Sequence, residues 1–99
     1  MKVVHCRHGK FDVYIGRPMP DFPDGSPFAN PFKIGRDGTR AEVLVKYEHY
    51  LRNSPELMDK ILELDGKVLG CWCKPAKCHG DIIVKIIEEI KHDKKYFIF

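Results

Sequence analysis

The sequence predicts a small α/β domain, a Rossmann-like sandwich in which a short, mostly parallel sheet is flanked by helices. Short β-branched and aromatic runs alternate with longer segments whose apolar residues recur at helical spacing. The order of these segments is strand, loop, helix, helix, strand, loop, helix. The chain has 99 residues, of which 43% are hydrophobic, and this is enough for one core. We therefore expect residues 1–99 to form a single α/β domain, whose parallel strands are joined by a right-handed crossover.

The N-terminal third contains two predicted strands and a long loop. Val3-Val4 begins a short strand, and residues 12–15 form a second strand that ends at Gly16-Arg17-Pro18. Residues 19–38 carry proline, glycine, aspartate and asparagine at close spacing. A loop of this length in a compact domain is usually functional or disordered. The aromatic residues within it indicate that it is held against the domain.

Two helices are predicted in the middle of the chain. Thr39 and Glu42 match a capping box, in which each side chain bonds the backbone N–H of the other residue. Ser54 is the expected cap of the second helix, with Pro55 at its first position, and Asp65-Gly66 ends this helix.

The C-terminal third is predicted to contain a strand over residues 67–73 and a helix from about residue 80 to residue 92. The three residues 97–99 are expected to add a last strand or to pack on the core. Because side chains alternate along a strand, Cys71 and Cys73 are expected on the same face and Trp72 on the other.

Charge and hydropathy indicate which kinds of partner the protein can bind and in which compartment it is expected. The net charge of +3 suits an anionic ligand but is below the basic balance of a dedicated nucleic-acid binder. No apolar run approaches the ~20 residues of a membrane span, and the N-terminus lacks a signal-peptide core. We expect a cytoplasmic protein without membrane partners, whose cysteines are thiols or metal ligands rather than disulfides. The oligomeric state is not predicted.

Residues 70–81 are the most informative stretch, because they hold three of the four cysteines and one of the five histidines. They lie where a predicted strand ends and a helix starts, which is where open α/β proteins place ligands. The candidate catalytic residues are Asp81 as base or nucleophile, His79 as acid, and Cys78 as a thiol activated by the helix N-terminus. If the protein is an enzyme, hydrolysis or glycosyl transfer fits this set.

The same stretch allows a metal site as an alternative. Cys71, Cys73, Cys78 and His79 are the four residues that could hold zinc. The C-x-C spacing and the adjacency of the last two residues count against a closed tetrahedral site. We therefore predict no metal or other cofactor, with zinc as the alternative, and Cys71 is expected to be a buried core residue.

An anion site is predicted before the first long helix. Gly35 and Gly38 allow the backbone there to adopt conformations that expose its N–H groups. These N–H groups and the helix dipole favour a phosphate, which the nearby arginines would hold. The alternative is a plain turn with solvated arginines. Asn30 and Trp72 are predicted to contact a base or sugar, although each also suits a structural role, in a turn and in the core. The predicted ligand-binding residues are Arg17, Asn30, Arg36, Gly38, Thr39, Arg40, Trp72, Cys73 and Gly80.

Four blocks of the chain together resemble one protein family. The blocks are residues 13–18 (VYIGRP), 30–32 (NPF), 34–40 (IGRDGTR) and 69–81 (LGCWCKPAKCHGD). In this order they resemble the uncharacterised bacterial and phage family catalogued as domain of unknown function 4326, over about residues 12–90. The resemblance implies the same domain limits and points to the same residues. It implies no reaction.

The predicted function is binding of a nucleotide or nucleotide-derived phosphate ligand, with hydrolysis as a possible extension, in a cleft at the C-terminal ends of the strands. Arg17, Arg36 and Arg40 are expected to converge on this cleft with His79. The alternative is a zinc-stabilised interaction or nucleic-acid-binding module, in which the cysteines are purely structural. Metal content separates the two.

Overall fold

A computed structural model describes residues 1–92, which form a three-stranded parallel sheet packed against three α-helices. The strands are β1 (Lys2–His5), β2 (Val13–Tyr14) and β3 (Val68–Cys71), and the helices are α1 (Arg40–Arg52), α2 (Pro55–Lys60) and α3 (His79–His92), with a 3-10 turn over Ile61–Leu64 after α2. The mixed α/β class with a parallel sheet is confirmed. The prediction for residues 97–99 lies outside the described residues.

The sheet has the order β1-β3-β2, so the last strand within residues 1–92 is the central one. Val3 pairs with Leu69 on one side of β3, and Val13 pairs with the same residue on the other. β3 ends at Cys71, two residues earlier than predicted, because the chain then turns and Ala76 N–H bonds the carbonyl oxygen of Cys73 at 2.9 Å. The prediction that Cys71 and Cys73 share one strand face is therefore wrong, since the second lies in the turn.

Helix α1 begins as its sequence predicts. The Thr39 hydroxyl accepts from Glu42 N–H at 3.2 Å, and Thr39 N–H donates to the Glu42 carboxylate at 3.0 Å. The helix buries Tyr47, whose hydroxyl donates to the carbonyl oxygen of Phe28 at 2.7 Å. This bond fixes the long loop to the core. It also explains how a segment without helix or strand is held in place.

Helix α2 differs from its prediction in one detail. Pro55 occupies the first helical position, as expected. Ser54 precedes it, but its hydroxyl donates to the carbonyl oxygen of Tyr50 at 2.7 Å and makes no cap bond. Ser54 therefore occupies the predicted N-cap position, but its side chain does not cap the helix, because the carbonyl oxygen of Tyr50 at the preceding helix end takes its hydroxyl.

Helix α3 packs its apolar face on the sheet and lies close to β1. Ile83, Ile86 and Ile87 are fully buried in the core that the helix shares with β3. A Cβ at Gly80 would lie 2.7 Å from Cγ1 of Val3, so only glycine permits this approach. Within residues 1–92, every helix is too short or too polar to cross a membrane.

Candidate functional site

A cavity of about 530 Å³ opens where β2 and β3 end and where α1 and α3 begin. Gly16 and Arg17 follow β2, Trp72 and Cys73 follow β3, and Arg40 opens α1. Parallel strands place their carboxyl ends at one edge of a sheet, so the residues after β2 and β3 meet there. The volume falls in the range of small-molecule sites, which is ~300–1,000 Å³.

The charged part of the lining is entirely cationic. Among residues 1–92, four with positive side chains line the cavity, and no aspartate or glutamate does. The four are Arg17, Lys33, Arg40 and Lys77. None of them pairs with a carboxylate of residues 1–92, whereas Arg36 and Arg52 do. The cavity therefore carries positive charge that an anion can neutralise.

Backbone carbonyls hold the two arginines in place. Arg17 donates from Nε to the carbonyl oxygen of Asn30 at 2.9 Å and from Nη2 to that of Phe32 at 2.8 Å. Arg40 donates from Nη1 to the carbonyl oxygen of Lys77 at 2.9 Å. Neutral acceptors orient a guanidinium without cancelling its charge, and each group keeps N–H donors for a ligand.

The rest of the lining is mainly apolar. It includes Met19, Phe32, Ile34, Val43, Leu44 and Trp72. The indole N–H of Trp72 donates to the Tyr14 hydroxyl at 2.7 Å, and that hydroxyl donates to the carbonyl oxygen of Arg17 at 2.6 Å. Tyr14 thus joins the aromatic wall of the cavity to the cationic one. The sequence alone does not indicate this role of Tyr14, because its contact with Trp72 joins residues 58 positions apart.

His79 belongs to the cavity lining and keeps one ring nitrogen available as a hydrogen-bond acceptor. Its Nε2 lies 2.7 Å from the carbonyl oxygen of Ile15, which can only accept, so Nε2 carries the proton. Every fully buried side-chain nitrogen or oxygen of the described residues has a hydrogen-bond partner, and Nδ1 has none, so Nδ1 keeps contact with solvent. Burial lowers the pKa of His79 and favours the neutral form. The predicted role of His79 as an acid needs the protonated imidazolium, and burial disfavours that charged form.

Asn30 is buried, and its side chain shapes the loop around it. Its Oδ1 accepts from the backbone N–H of Phe32 at 2.9 Å. The side chain still lines the cavity, and its amide nitrogen makes no bond within the described residues. It therefore has the turn role that the sequence left open, and its amide nitrogen is positioned at the cavity.

The two candidate nucleophiles are held by other groups. Cys78 lines the cavity but is only 1% exposed, and its Sγ lies 3.1 Å from Sγ of Cys71. The bond to Cys71 and burial raise the pKa of Cys78, opposite to the predicted activation. Asp81 accepts from Cys78 N–H at 3.0 Å and pairs with Lys74 at 2.6 Å. This carboxylate therefore stabilises the start of α3 and lies outside the lining.

The structure brings seven of the predicted residues into one cavity and leaves five outside its lining. Those inside are Arg17, Asn30, Arg40, Trp72, Cys73, Cys78 and His79, and those outside are Arg36, Gly38, Thr39, Gly80 and Asp81. Arg36 pairs with Asp37 at 2.8 Å and bonds the carbonyl oxygen of Pro31, and this pairing lowers the pKa of Asp37. Arg36 is thus held by Asp37 and Pro31 and does not belong to the cavity lining. Lys33 and Lys77 line the cavity but were not selected from the sequence, where they resemble ordinary surface lysines.

The alternative zinc ligands do not surround one point. In the part of the chain that the structure describes, no group of three or more histidine, cysteine, aspartate or glutamate side chains is placed to hold a metal ion. Cys71 and Cys78 are in contact with each other. Both are buried, and Cys71 lies in the core as predicted.

Comparison with known proteins gives a family without an assigned activity. The family model described as Domain of unknown function (DUF4326) matches residues 4–89. An uncharacterised protein of Acanthamoeba polyphaga mimivirus is 37% identical, over 83% of this chain and 73% of the viral protein. An uncharacterised 12.4 kDa protein from the nrdA-td intergenic region of Enterobacteria phage T4 is 34% identical, over 93% of this chain and 82% of that protein. No solved structure matches.

Proposed function

We propose that this chain, which belongs to the family described as Domain of unknown function (DUF4326), binds a nucleotide or a nucleotide-derived metabolite through its phosphate groups. One observation carries the proposal: four cationic side chains that have no carboxylate partner within residues 1–92 line a cavity whose remaining wall is mainly apolar and aromatic. This combination suits a ligand with an anionic end and a flat, weakly polar end.

The phosphate end is assigned to the arginine side of the cavity. Arg17 and Arg40 are fixed by carbonyl groups and retain free guanidinium donors. Guanidinium groups bind phosphate oxygens in a bidentate manner, and lysine adds a point charge. Lys33 and Lys77 lie on the same lining and are exposed, so their ammonium groups can move toward a bound anion.

The base and sugar are assigned to the aromatic side. Trp72 and Phe32 supply aromatic surface that an inorganic anion would not use. Asn30 offers an amide donor and His79 an unprotonated ring nitrogen, and these groups match the donors and acceptors of a ribose or base edge. A nucleotide therefore uses more of the lining than free phosphate does.

The proposal is limited to binding. Hydrolysis by a side-chain nucleophile would need a free thiol or carboxylate, and Cys78 and Asp81 are each engaged in bonds at the start of α3. Of the three predicted catalytic residues, His79 keeps a side-chain atom without a bond in the described structure, and this atom, Nδ1, is proposed as a hydrogen-bond acceptor for the ligand.

A thermal-shift comparison tests the proposal. The purified chain is melted with nucleoside 5′-mono- and diphosphates, with the matching nucleosides, and with inorganic pyrophosphate. A ligand at a hundred times its dissociation constant stabilises a fold by ~2.7 kcal/mol. The phosphorylated nucleosides should raise Tm more than either nucleosides or pyrophosphate. No shift with any nucleotide, or an equal shift with pyrophosphate, would contradict the proposal.

A further inference from the structure

The two buried thiols beneath the cavity wall form a close pair. Cys71 is the last residue of β3, and Cys78 immediately precedes α3. Their sulfur atoms are 3.1 Å apart, and the residues are 0% and 1% exposed. A disulfide needs a sulfur separation of ~2.05 Å, so a shift of about 1 Å would join them.

The contact between the two sulfur atoms, together with nearby backbone N–H groups, favours a thiolate at Cys71. The pKa of Cys71 is lowered first by the hydrogen bond from Cys78, and then by the backbone N–H groups of Cys73 and Lys74. Cys78 keeps its proton, because the same contact and burial raise the pKa of its thiol. When a thiolate lies in contact with a thiol, its oxidation to a sulfenic acid is followed by attack of the neighbouring thiol, which forms a disulfide.

We propose that Cys71 and Cys78 are a modification site, at which a small hydroperoxide converts the dithiol to a reversible intramolecular disulfide. The Cys71 thiolate attacks one peroxide oxygen, the O–O bond breaks, and Cys71 becomes a sulfenic acid while hydroxide leaves. The Cys78 sulfur then attacks Cys71, and its proton and the sulfenic hydroxyl leave as water. The dithiol loses two electrons, and the peroxide accepts these two electrons.

The cavity provides the route for so small an oxidant. Cys78 belongs to the lining, and Cys71, which does not, contacts it with the two sulfur atoms 3.1 Å apart, so the cavity leads to the pair through Cys78. Hydrogen peroxide is little larger than water and fits a cavity of about 530 Å³ with room to spare. The inference is independent of the ligand proposed above, since it uses only the thiol pair and the path to it.

Peroxide titration of the folded chain tests the site. The protein is reduced, freed of reductant, and treated with hydrogen peroxide at one equivalent. The products are alkylated under denaturing conditions and mapped by mass spectrometry. We expect two of the four thiols to be lost, with the mass of two hydrogen atoms, in a single bridge between Cys71 and Cys78 that dithiothreitol reverses. A bridge that includes Cys6 or Cys73, accumulation of sulfinic acid, or four remaining thiols would overturn the proposal.

Matched serine variants separate the pair from the other cysteines. Cys6→Ser and Cys73→Ser should still form the bridge, whereas Cys71→Ser and Cys78→Ser should not. The mapping of wild-type protein and of the first two variants decides the matter even if a buried serine unfolds the chain. Loss of the bridge in Cys73→Ser, with the fold retained by circular dichroism, would assign the site to a different pair.

Discussion

The indole nitrogen of Trp72 donates to the Tyr14 hydroxyl at 2.7 Å, across 58 positions of sequence. Because the same hydroxyl donates to the carbonyl oxygen of Arg17, one oxygen holds the aromatic and cationic walls of the cavity together. The Tyr14 ring also stacks on Phe22 with centroids 3.9 Å apart. This fixes the hydroxyl and, through it, the geometry of the proposed binding site.

Removing the Tyr14 hydroxyl should weaken both the fold and the site. Tyr14→Phe keeps the ring and its stacking but leaves the indole N–H of Trp72 without its partner. We expect a loss of about 1 kcal/mol in the free energy of unfolding, measured by urea denaturation. Nucleotide affinity should fall as well, since the two walls are no longer joined. If both the free energy of unfolding and the nucleotide affinity stay unchanged, the proposed structural role of the Tyr14 hydroxyl is contradicted.

The Thr39–Glu42 capping box should contribute measurably to stability. Thr39→Ala removes the acceptor of Glu42 N–H and should cost about 1 kcal/mol. Thr39→Ser is the matched control, because it keeps the hydroxyl and should lose much less. Both are measured by urea denaturation. Equal stability of the alanine and serine variants would contradict the cap.

Stability should depend on pH through His79. Burial lowers its pKa in the folded state below the ordinary value of 6.5. Below pH 6.5 the unfolded chain therefore binds more protons at this residue than the folded chain, so the free energy of unfolding falls as pH falls from about 7 to 5. Above pH 7 His79 is unprotonated in both the folded and the unfolded chain, so it causes no change in the free energy of unfolding with pH.

Variants identify the histidine responsible. His79→Gln keeps a donor for the carbonyl oxygen of Ile15 and should flatten the pH dependence between about 7 and 5. His49→Gln changes an exposed histidine of α1 and should leave it unchanged. The free energy of unfolding is measured at each pH by urea denaturation. An equally steep decline in His79→Gln would assign the effect to another group.

Metal analysis separates the binding proposal from the zinc alternative. We expect the chain, purified without chelator, to contain much less than one zinc per molecule. Addition of chelator should leave Tm unchanged, because the described residues build their core from apolar side chains. Near one zinc per chain, with a lower Tm after chelation, would support the alternative in which the cysteines are structural.

Local signals in the sequence predicted much of the fold. The capping box needs only Thr39 and Glu42, three positions apart, so it is readable without tertiary structure. Pro55 at the start of α2 is equally local. The early end of β3 was not predictable in this way, because the apolar pattern continues through Trp72 although the chain turns.

The sequence predicted the site less completely than the fold. Arginines that are close together in the sequence bind different groups in the structure. Arg36 and Arg40 both lie near Gly38, yet Arg36 turns back to pair with Asp37 while Arg40 reaches the carbonyl oxygen of Lys77. Only the fold distinguishes them. Cys78 lies before a helix as expected, but its contact with Cys71 reverses the direction of its pKa shift.

Calorimetric titration with the best-stabilising nucleoside diphosphate is the most direct test of the proposed site. The proteins compared are the wild type, Arg40→Gln and Arg36→Gln, which lose the same charge at positions inside and outside the cavity. We predict that Arg40→Gln raises Kd at least tenfold, which corresponds to about 1.4 kcal/mol, while Arg36→Gln stays within twofold of wild type. Equal affinity for all three proteins, or a larger loss in Arg36→Gln, would contradict the assignment of the cavity as a phosphate site.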